Sequence, residues 1–467
     1  MKLKPLLCSS CALLVCSLSS NAQQASEARM WLTTPDRTSL VEPQAAALHF
    51  SPAAGQLPVL TVDDAQHFQS IDGFGFALTG GSAQLLMRMR AAQRAALLKK
   101  LFTSSDDGIG VSYIRVSIGS SDMNEHVYSY DDLPPGETDV EMAKFNLGPD
   151  RADVIPVVKE ILAIRPEIKI LGSPWSAPAW MKTNNDVKGG QLKPEYYGAF
   201  AKYFVKYIEA MHAEGITIDA ITVENEPLNP KNTPSMAMFA KEQDTFIAKA
   251  LGPAFEGAGI RTKILLYDHN PDVLSYPLSI LRDPAASKYV DGTAFHLYGG
   301  EASWLARVHD EYPKKNLYLT EQSITESRSG PLGIAEAVRR VPIGATRNWC
   351  RNVLLWNLAA DPQNGPHTNN GGCTDCSGAI TLDGDSATNN VAYYAIEHFS
   401  QFVPPGSVRV ASSEMEQLAS VAFVTPQHKI VLVVSNTANF AKPFAVKYRD
   451  KSFQTTLPSE SVGTYVW

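Results

Sequence analysis

From residue 71 onward the chain keeps one rhythm. A short apolar, β-branched run is followed by a polar or Gly/Pro-rich loop and then by a stretch of helical periodicity. Runs at residues 71–82, 113–118, 168–171, 216–223, 263–267, 291–297, 317–320 and 352–356 read as strands. Residues 84–102, 153–164, 194–214, 235–257, 277–283, 304–311 and 333–348 read as the intervening helices. Near-continuous apolar strands are those of a parallel sheet covered on both faces. Eight such units in this length of chain predict an α/β fold of the (β/α)8 TIM-barrel type, in which functional groups gather at the C-terminal ends of the strands.

The flanks follow a different pattern. Residues 28–50 and 57–68 carry short strand-like runs broken by Pro and Gly. Beyond the Pro404-Pro405-Gly406 punctuation, residues 408–410, 418–424, 430–435, 444–448 and 461–466 alternate apolar and polar side chains. Both sets read as antiparallel, so the two chain ends are expected to build one sandwich-like β-module beside the barrel. The expected organisation is residues 1–22 as a targeting segment, 23–70 as N-terminal strands of the module, 71–403 as the barrel and 404–467 as the C-terminal part of the module.

Residues 1–22 have the layout of a signal peptide: Lys2 and Lys4, a short apolar core at residues 6–18, and small residues ending at Ala22. The apolar core is too short to span a bilayer as a helix, and no other stretch reads as transmembrane. The expectation is cleavage near Ala22 and a secreted or periplasmic protein. Cys350, Cys373 and Cys376 then remain. In an oxidising compartment the C-T-D-C run inside a Gly-rich loop reads as a Cys373–Cys376 disulfide, because a zinc site would need two more ligands nearby. Cys350, at the start of an apolar run, reads as a buried free thiol. The formal charge of −7 and the lack of any basic run argue against a nucleic-acid groove.

The predicted strand ends hold the chemistry. The fourth strand stops on Glu224-Asn225-Glu226-Pro227, and the seventh runs into Glu321. Carboxylates at the ends of buried strands are costly unless a site uses them. The second strand supplies Arg115 and then Asp122, the third Trp175 and Trp180, the fifth Asp268-His269-Asn270, the sixth His296 and Tyr298, and the eighth Trp356-Asn357. Acidic, amide and aromatic groups at one barrel mouth suit a sugar, whose C–H faces stack on indole and whose hydroxyls need polar partners. No phosphate loop, clustered-His metal motif or cofactor fingerprint occurs. Glycosidic cleavage needs one carboxyl to protonate the leaving oxygen and a second to attack or to activate water. Glu321 fits the nucleophile, with Arg115 and Tyr298 keeping it ionised. Glu226 or Glu224 fits the acid/base, and spacing alone does not choose between them.

The runs I-D-G-F-G-F-A-L-T-G-G-S-A, R-V-S-I-G-S-S-D, S-P-W-S-A-P-A-W-M-K-T-N, V-E-N-E-P, F-H-L-Y, L-T-E-Q-S and W-N-L, in this order, resemble glycoside hydrolase family 30 over essentially the whole mature chain. The resemblance implies a retaining β-glycosidase without cofactor or metal, and a barrel carrying a side β-module. It implies Glu226 as acid/base, Glu321 as nucleophile and Asn225 on the sugar 2-hydroxyl. It further implies Asp122, Trp175, Trp356, His296 and Tyr298 around the glucosyl unit, with Asn370 as a further sugar ligand. The N-N-G-G-C-T-D-C-S-G loop departs from the animal lysosomal enzymes and looks like microbial members, some of them endo-β-1,6-glucanases. The expected substrate is a β-1,6-glucan or a glucosylceramide-type β-glucoside, with β-xylosidase or β-fucosidase activity as variants. A non-catalytic carbohydrate-binding barrel is the alternative, and it would require a lost carboxylate.

Overall fold

The computed structural model describes residues 26–52, 55–104, 108–324 and 333–467; the targeting segment at residues 1–22 lies outside them. Eight parallel strands close into a barrel in chain order: β1 (Gly73–Leu78), β2 (Tyr113–Ser117), β3 (Lys169–Ser173), β4 (Ala220–Thr222), β5 (Lys263–His269), β6 (Val290–His296), β7 (Asn316–Glu321) and β8 (Cys350–Leu355). Closure is made by β8 on β1, with Asn352 opposite Gly73 and Leu355 opposite Phe76. Strand side chains alternate, so one set fills the barrel and the other meets the helices. The inward set is Tyr113, Leu171, Ala220, Leu265, Ala294, Tyr318 and Leu354, which form a cluster separate from the main core. They plug the lower barrel and leave the next inward positions to polar residues.

Three elements differ from expectation for identifiable reasons. The helix expected over residues 84–102 is two helices, Gly80–Arg88 and Ala91–Phe102. Asp385, far along the chain, accepts from the Arg90 backbone N–H at 2.7 Å and from its Nε at 2.5 Å, capping the second helix and holding the break. The helix expected over 333–348 contains a π-turn at Arg339–Ile343, where Pro342 lacks the N–H that a regular turn needs. The run at 216–223 pairs as a strand only over Ala220–Thr222. Its Ile216, Ile218 and Val223 are buried, but the backbone bonds there are scattered: Ile216 N–H goes to Met211, and Asp219 N–H to Ile170.

The two chain ends form a 10-stranded sheet among the described residues. Glu27–Thr33 pairs antiparallel with Val462–Val466, and Val59–Ser70 joins the C-terminal strands. The sheet is not purely antiparallel, as Val59–Ser70 lies parallel to Lys442–Tyr448. The strand Lys451–Leu457 was not expected from the sequence; its Phe453, Thr455 and Leu457 face inward while Gln454 and Thr456 face out.

One face of the module packs on the barrel through the helix Val391–Ser400, with Phe399 between Phe74 and Phe423. Beside it His398 is fully buried, its ring nitrogens each 2.8 Å from the hydroxyls of Thr33 and Thr464. Burial drives its pKa from 6.5 down to about 3. The unfolded imidazole takes a proton below about 6.5 and the folded one only near 3, so stability is complete above this window and falls as pH drops through it. At pH 4.5 this group alone is expected to cost on the order of 2–3 kcal/mol of unfolding free energy relative to pH 7.5. His398→Gln should lack that share of the acid loss, measured by urea unfolding at the two pH values; equal acid loss in both proteins would refute the assignment.

Candidate active site

Above the plug, the next inward positions are Arg115 on β2, Ser173 on β3, Thr222 on β4, His296 on β6 and Thr320 on β7. The fifth strand would present Tyr267 here, but Tyr267 and Asp268 take positive φ (76° and 63°) and the register against β6 slips. This bulge turns Asp268 into the barrel.

Arg115 is the centre of the arrangement and is 1% exposed. Its Nε donates to Ser173 Oγ (3.0 Å), one terminal nitrogen to Glu321 Oε2 (2.5 Å), and the other to Asn225 Oδ1 (2.7 Å) and Asp268 Oδ2 (2.9 Å). The guanidinium carbon lies 4.7 Å from the Trp175 ring centroid and 5.9 Å from that of Trp356. Burial disfavours the Arg115 cation, but Asp268 and Glu321 outweigh it and raise its pKa. Asp268 shows the converse: burial is overcome by Arg115, His296 and Thr320, and its carboxyl is held well below the ordinary range.

His296 is the second hub. Its Nδ1 lies 3.2 Å from Glu226 Oε1 and 3.7 Å from Glu321 Oε1, and its Nε2 lies 3.2 Å from Asp268 Oδ1. Burial would lower its pKa, but Glu321, Asp268 and Glu226 push it up to about 10. Glu226 is in turn drawn well below the usual carboxylate range against its own burial, by His269 and His296. The surroundings thus favour the protonated form of His296 and the anionic form of Glu226. Asn229 Nδ2 donates to Glu226 Oε2 at 2.7 Å, and the Tyr298 hydroxyl donates to Glu321 Oε1 at 2.9 Å.

Glu226, Glu321, Asp122, Tyr298 and Trp356 line a cleft of about 840 Å³ at the strand C-terminal ends. Asp122 Oδ1 is buried with no partner among the described residues, and burial plus the nearby Glu321 and Glu226 push this carboxyl up to about 8. Trp175 and Trp356, with ring centroids 5.4 Å apart, pack with Ala77, Met123 and the Cys373–Cys376 disulfide beneath the cleft. Cys350 is buried and unbonded.

Two residues expected at the sugar lie off the cleft wall. His296, expected beside the nucleophile and the glucosyl unit, is wholly buried beneath the carboxylates, its nitrogens against Glu226 and Asp268. Asn370, also expected as a sugar ligand, turns its Oδ1 toward Lys188 Nζ (3.3 Å) and does not line the cleft, whereas Gly371 and Gly372 do. The structure also separates the two candidate carboxyls of the fourth strand. Glu224 is fully buried and absent from the cleft wall, with neither oxygen bonded among the described residues, and burial raises its pKa well above the usual range. Glu226 reaches the cleft because its backbone turns to φ 47° and its N–H bonds to Asp268 O. Asp268 and Asn229 carried no assigned role in the sequence; a signal for the first was the Y-D-H-N run ending the fifth strand.

Removing Arg115 would leave Asp268 and Glu321 as uncompensated buried charges. Arg115→Met should lose about 3–5 kcal/mol of stability and at least ~100-fold in turnover. Arg115→Lys, which keeps the charge but loses the fork, should recover part of the stability and little of the rate. Denaturant unfolding and kcat measured on the same preparations check this; near-normal turnover in either variant would contradict it.

The chain has relatives of the same architecture. Residues 71–403 match the glycosyl hydrolase family 30 TIM-barrel domain and residues 406–465 the family 30 beta sandwich domain. The chain is 36% identical over 437 residues to endo-1,6-beta-D-glucanase neg1 of Aspergillus fumigatus, covering 87% of each. It is 31% identical over 435 residues to the lysosomal acid glucosylceramidase of Mus musculus, covering 88% of this chain and 83% of that one. The solved structure of the endo-beta1,6-glucanase BT3312 superposes with a TM-score of 0.86 at 36% identity, over 94% of this chain and 99% of that one. Two contiguous domain matches spanning the barrel and the β-module, together with these relatives, place the chain in glycoside hydrolase family 30, and the protein is a glycoside hydrolase.

Proposed function

We propose that the protein is an exported, retaining endo-β-1,6-glucanase. The observation that carries this reading is the pair of carboxylates bracketing one imidazole nitrogen. Glu226 Oε1 and Glu321 Oε1 cannot be further apart than the sum of their 3.2 and 3.7 Å distances to His296 Nδ1. That bound excludes most of the ~6.5–9.5 Å range of inverting enzymes and admits the ~5–5.5 Å of retaining ones. The substrate follows from similarity: the endo-1,6-glucanase relatives are more alike this chain than the glucosylceramidase is. The Lys2/Lys4, apolar core and Ala22 layout supports export.

In this reading Glu321 attacks the anomeric carbon, gripped by Arg115 and oriented by Tyr298. Glu226 protonates the departing oxygen and later deprotonates the water that releases the product. His296 stores the acid proton one contact away, handing it from Nδ1 to Glu226 Oε1 once the glycosidic oxygen arrives, and recovering it after hydrolysis. Asn225, fixed through its Oδ1 by Arg115, offers its NH2 to the 2-hydroxyl. Asp122 takes sugar hydroxyls, and Trp356 over Trp175 forms the floor.

The deciding assay offers purified mature enzyme a linear β-1,6-glucan and, separately, detergent-dispersed glucosylceramide. Short β-1,6-linked oligosaccharides from the first are expected. Glucose from the second alone would replace this reading with a lipid-glycoside hydrolase. Glu321→Gln should abolish turnover while oligosaccharide binding persists. Glu226→Gln should slow glucan cleavage by at least ~100-fold but aryl β-glucosides with good leaving groups far less, since these need little protonation. An equal loss on both substrate classes would remove the acid role from Glu226.

A further inference from the structure

Among the described residues, seven large apolar side chains are more than a third exposed, and Val273, Tyr298 and Trp304 share one edge of the barrel mouth. Tyr298 already belongs to the catalytic cleft. Its backbone N–H donates to Asn270 Oδ1 at 2.8 Å, which ties the loop after β6 to the loop after β5. On the cleft side these loops present His269, Asn270 and Tyr298. On the far side, their next residues build a second groove of about 700 Å³.

Trp304, 42% exposed, forms one wall of that groove, opposite Pro271, Asp272 and Val273. The indole is seated rather than free. Gly300, at φ +77°, runs so close beneath it that a Cβ there would lie 3.0 Å from Trp304 Cε3 and 3.1 Å from Asp272 N. Only glycine takes this backbone conformation without strain and lets the indole approach the β5 loop. Around the ring the groove offers Asp272, Arg282, Arg307 and Glu311, none in an ion pair with another described residue. Two cations and two anions balance, which disfavours a purely anionic ligand, and four charges disfavour a lipid surface. An indole face rimmed by free donors and acceptors fits a pyranose.

Position supports the same ligand. In the ring of eight strands, β5 and β6 stand opposite β1 and β2. The other half of the ring lines the cleft with Trp356 after β8 and Asp122 after β2, with Trp175 after β3 packed against Trp356. A chain whose cleaved unit rests on that half runs across Glu226 and Glu321 toward the β5–β6 edge.

We infer that the Trp304 groove is a distal glucan-binding subsite on the leaving-group side of the carboxylate pair, selecting for longer chains. The inference rests on the β-1,6-glucanase reading above. In the Glu321→Gln background, β-1,6-linked gluco-oligosaccharides of two to eight units are titrated calorimetrically with and without Trp304→Ala. The expected result is about tenfold weaker binding of the longest oligosaccharides, less than twofold for the disaccharide, and substantial recovery in Trp304→Phe. On the active enzyme the loss in kcat/KM should likewise grow with chain length. A loss independent of length, or no loss, overturns the subsite. So does a Trp304→Ala defect confined to association with phospholipid vesicles, which would make the edge a lipid-facing patch. If Glu321→Gln binds no β-1,6-oligosaccharide of any length, the substrate reading itself falls, and the subsite with it.

Discussion

A buried guanidinium organises this active site. Arg115 lies inside the barrel with no access to water, and a lone cation there would be strongly unfavourable. Three strands and one loop supply its partners: Ser173, Asp268, Glu321 and Asn225. Each partner is thereby fixed in direction. The planar fork sets where the Glu321 carboxylate points, and the same fork holds Asn225 beside it. His296 extends the network to Glu226, so two carboxylates from the ends of the fourth and seventh barrel strands answer to one connected set of hydrogen bonds. The Trp175 and Trp356 rings over the guanidinium complete its surroundings, and Trp356 also lines the cleft.

The backbone bends where this network needs side chains that regular alternation would not deliver. Glu226, Tyr267 and Asp268 all occupy positive φ. Such conformations are costly for non-glycine residues and persist when surrounding bonds over-determine them. Here Glu226 N–H bonds to Asp268 O and Asn229 N–H to Glu226 O, so the two irregular strand ends brace each other. The outcome is a sorting of carboxyls. Glu226 enters the cleft beside His269 and His296, which lower its pKa, while Glu224, two residues earlier, is shut away where burial raises its own. Which of the two carboxyls faces the cleft is thus decided by the irregular strand end.

The barrel was legible because its signal is repetitive: eight apolar runs buried on both faces, each followed by helical periodicity. The module was less so. Its Val59–Ser70 to Lys442–Tyr448 pairing is parallel, which alternation alone cannot reveal, since pairing direction leaves no mark on a strand's own pattern. The Lys451–Leu457 strand was missed because its inward positions include Thr455 among Ser and Gln neighbours. In the site, Glu321 and Arg115 were readable as charges on buried strands. The side chain of Asn370 was not orientable from the sequence, because a Gly-rich loop carries no periodicity. His296 was readable as a strand-end residue near Glu321, but its contacts with Glu226 and Asp268 were not, since those carboxylates come from other strands.

By itself the sequence determined the periodicity that makes a barrel, the positions of charged groups at the strand ends, and the cysteine pair that closes the loop beneath the cleft. These are local properties: burial patterns and residue types within a few positions of one another. Tertiary structure alone decided which carboxyl faces the cleft, that Asp268 shares Arg115 with Glu321, that His296 sits between Glu226 and Asp268, and that Trp304 stands on the far edge of the mouth. Each depends on groups tens to hundreds of residues apart in the chain and a few ångströms apart in space. Hydrogen-bond direction and charge balance there are set by the closure of the ring, which no single segment encodes.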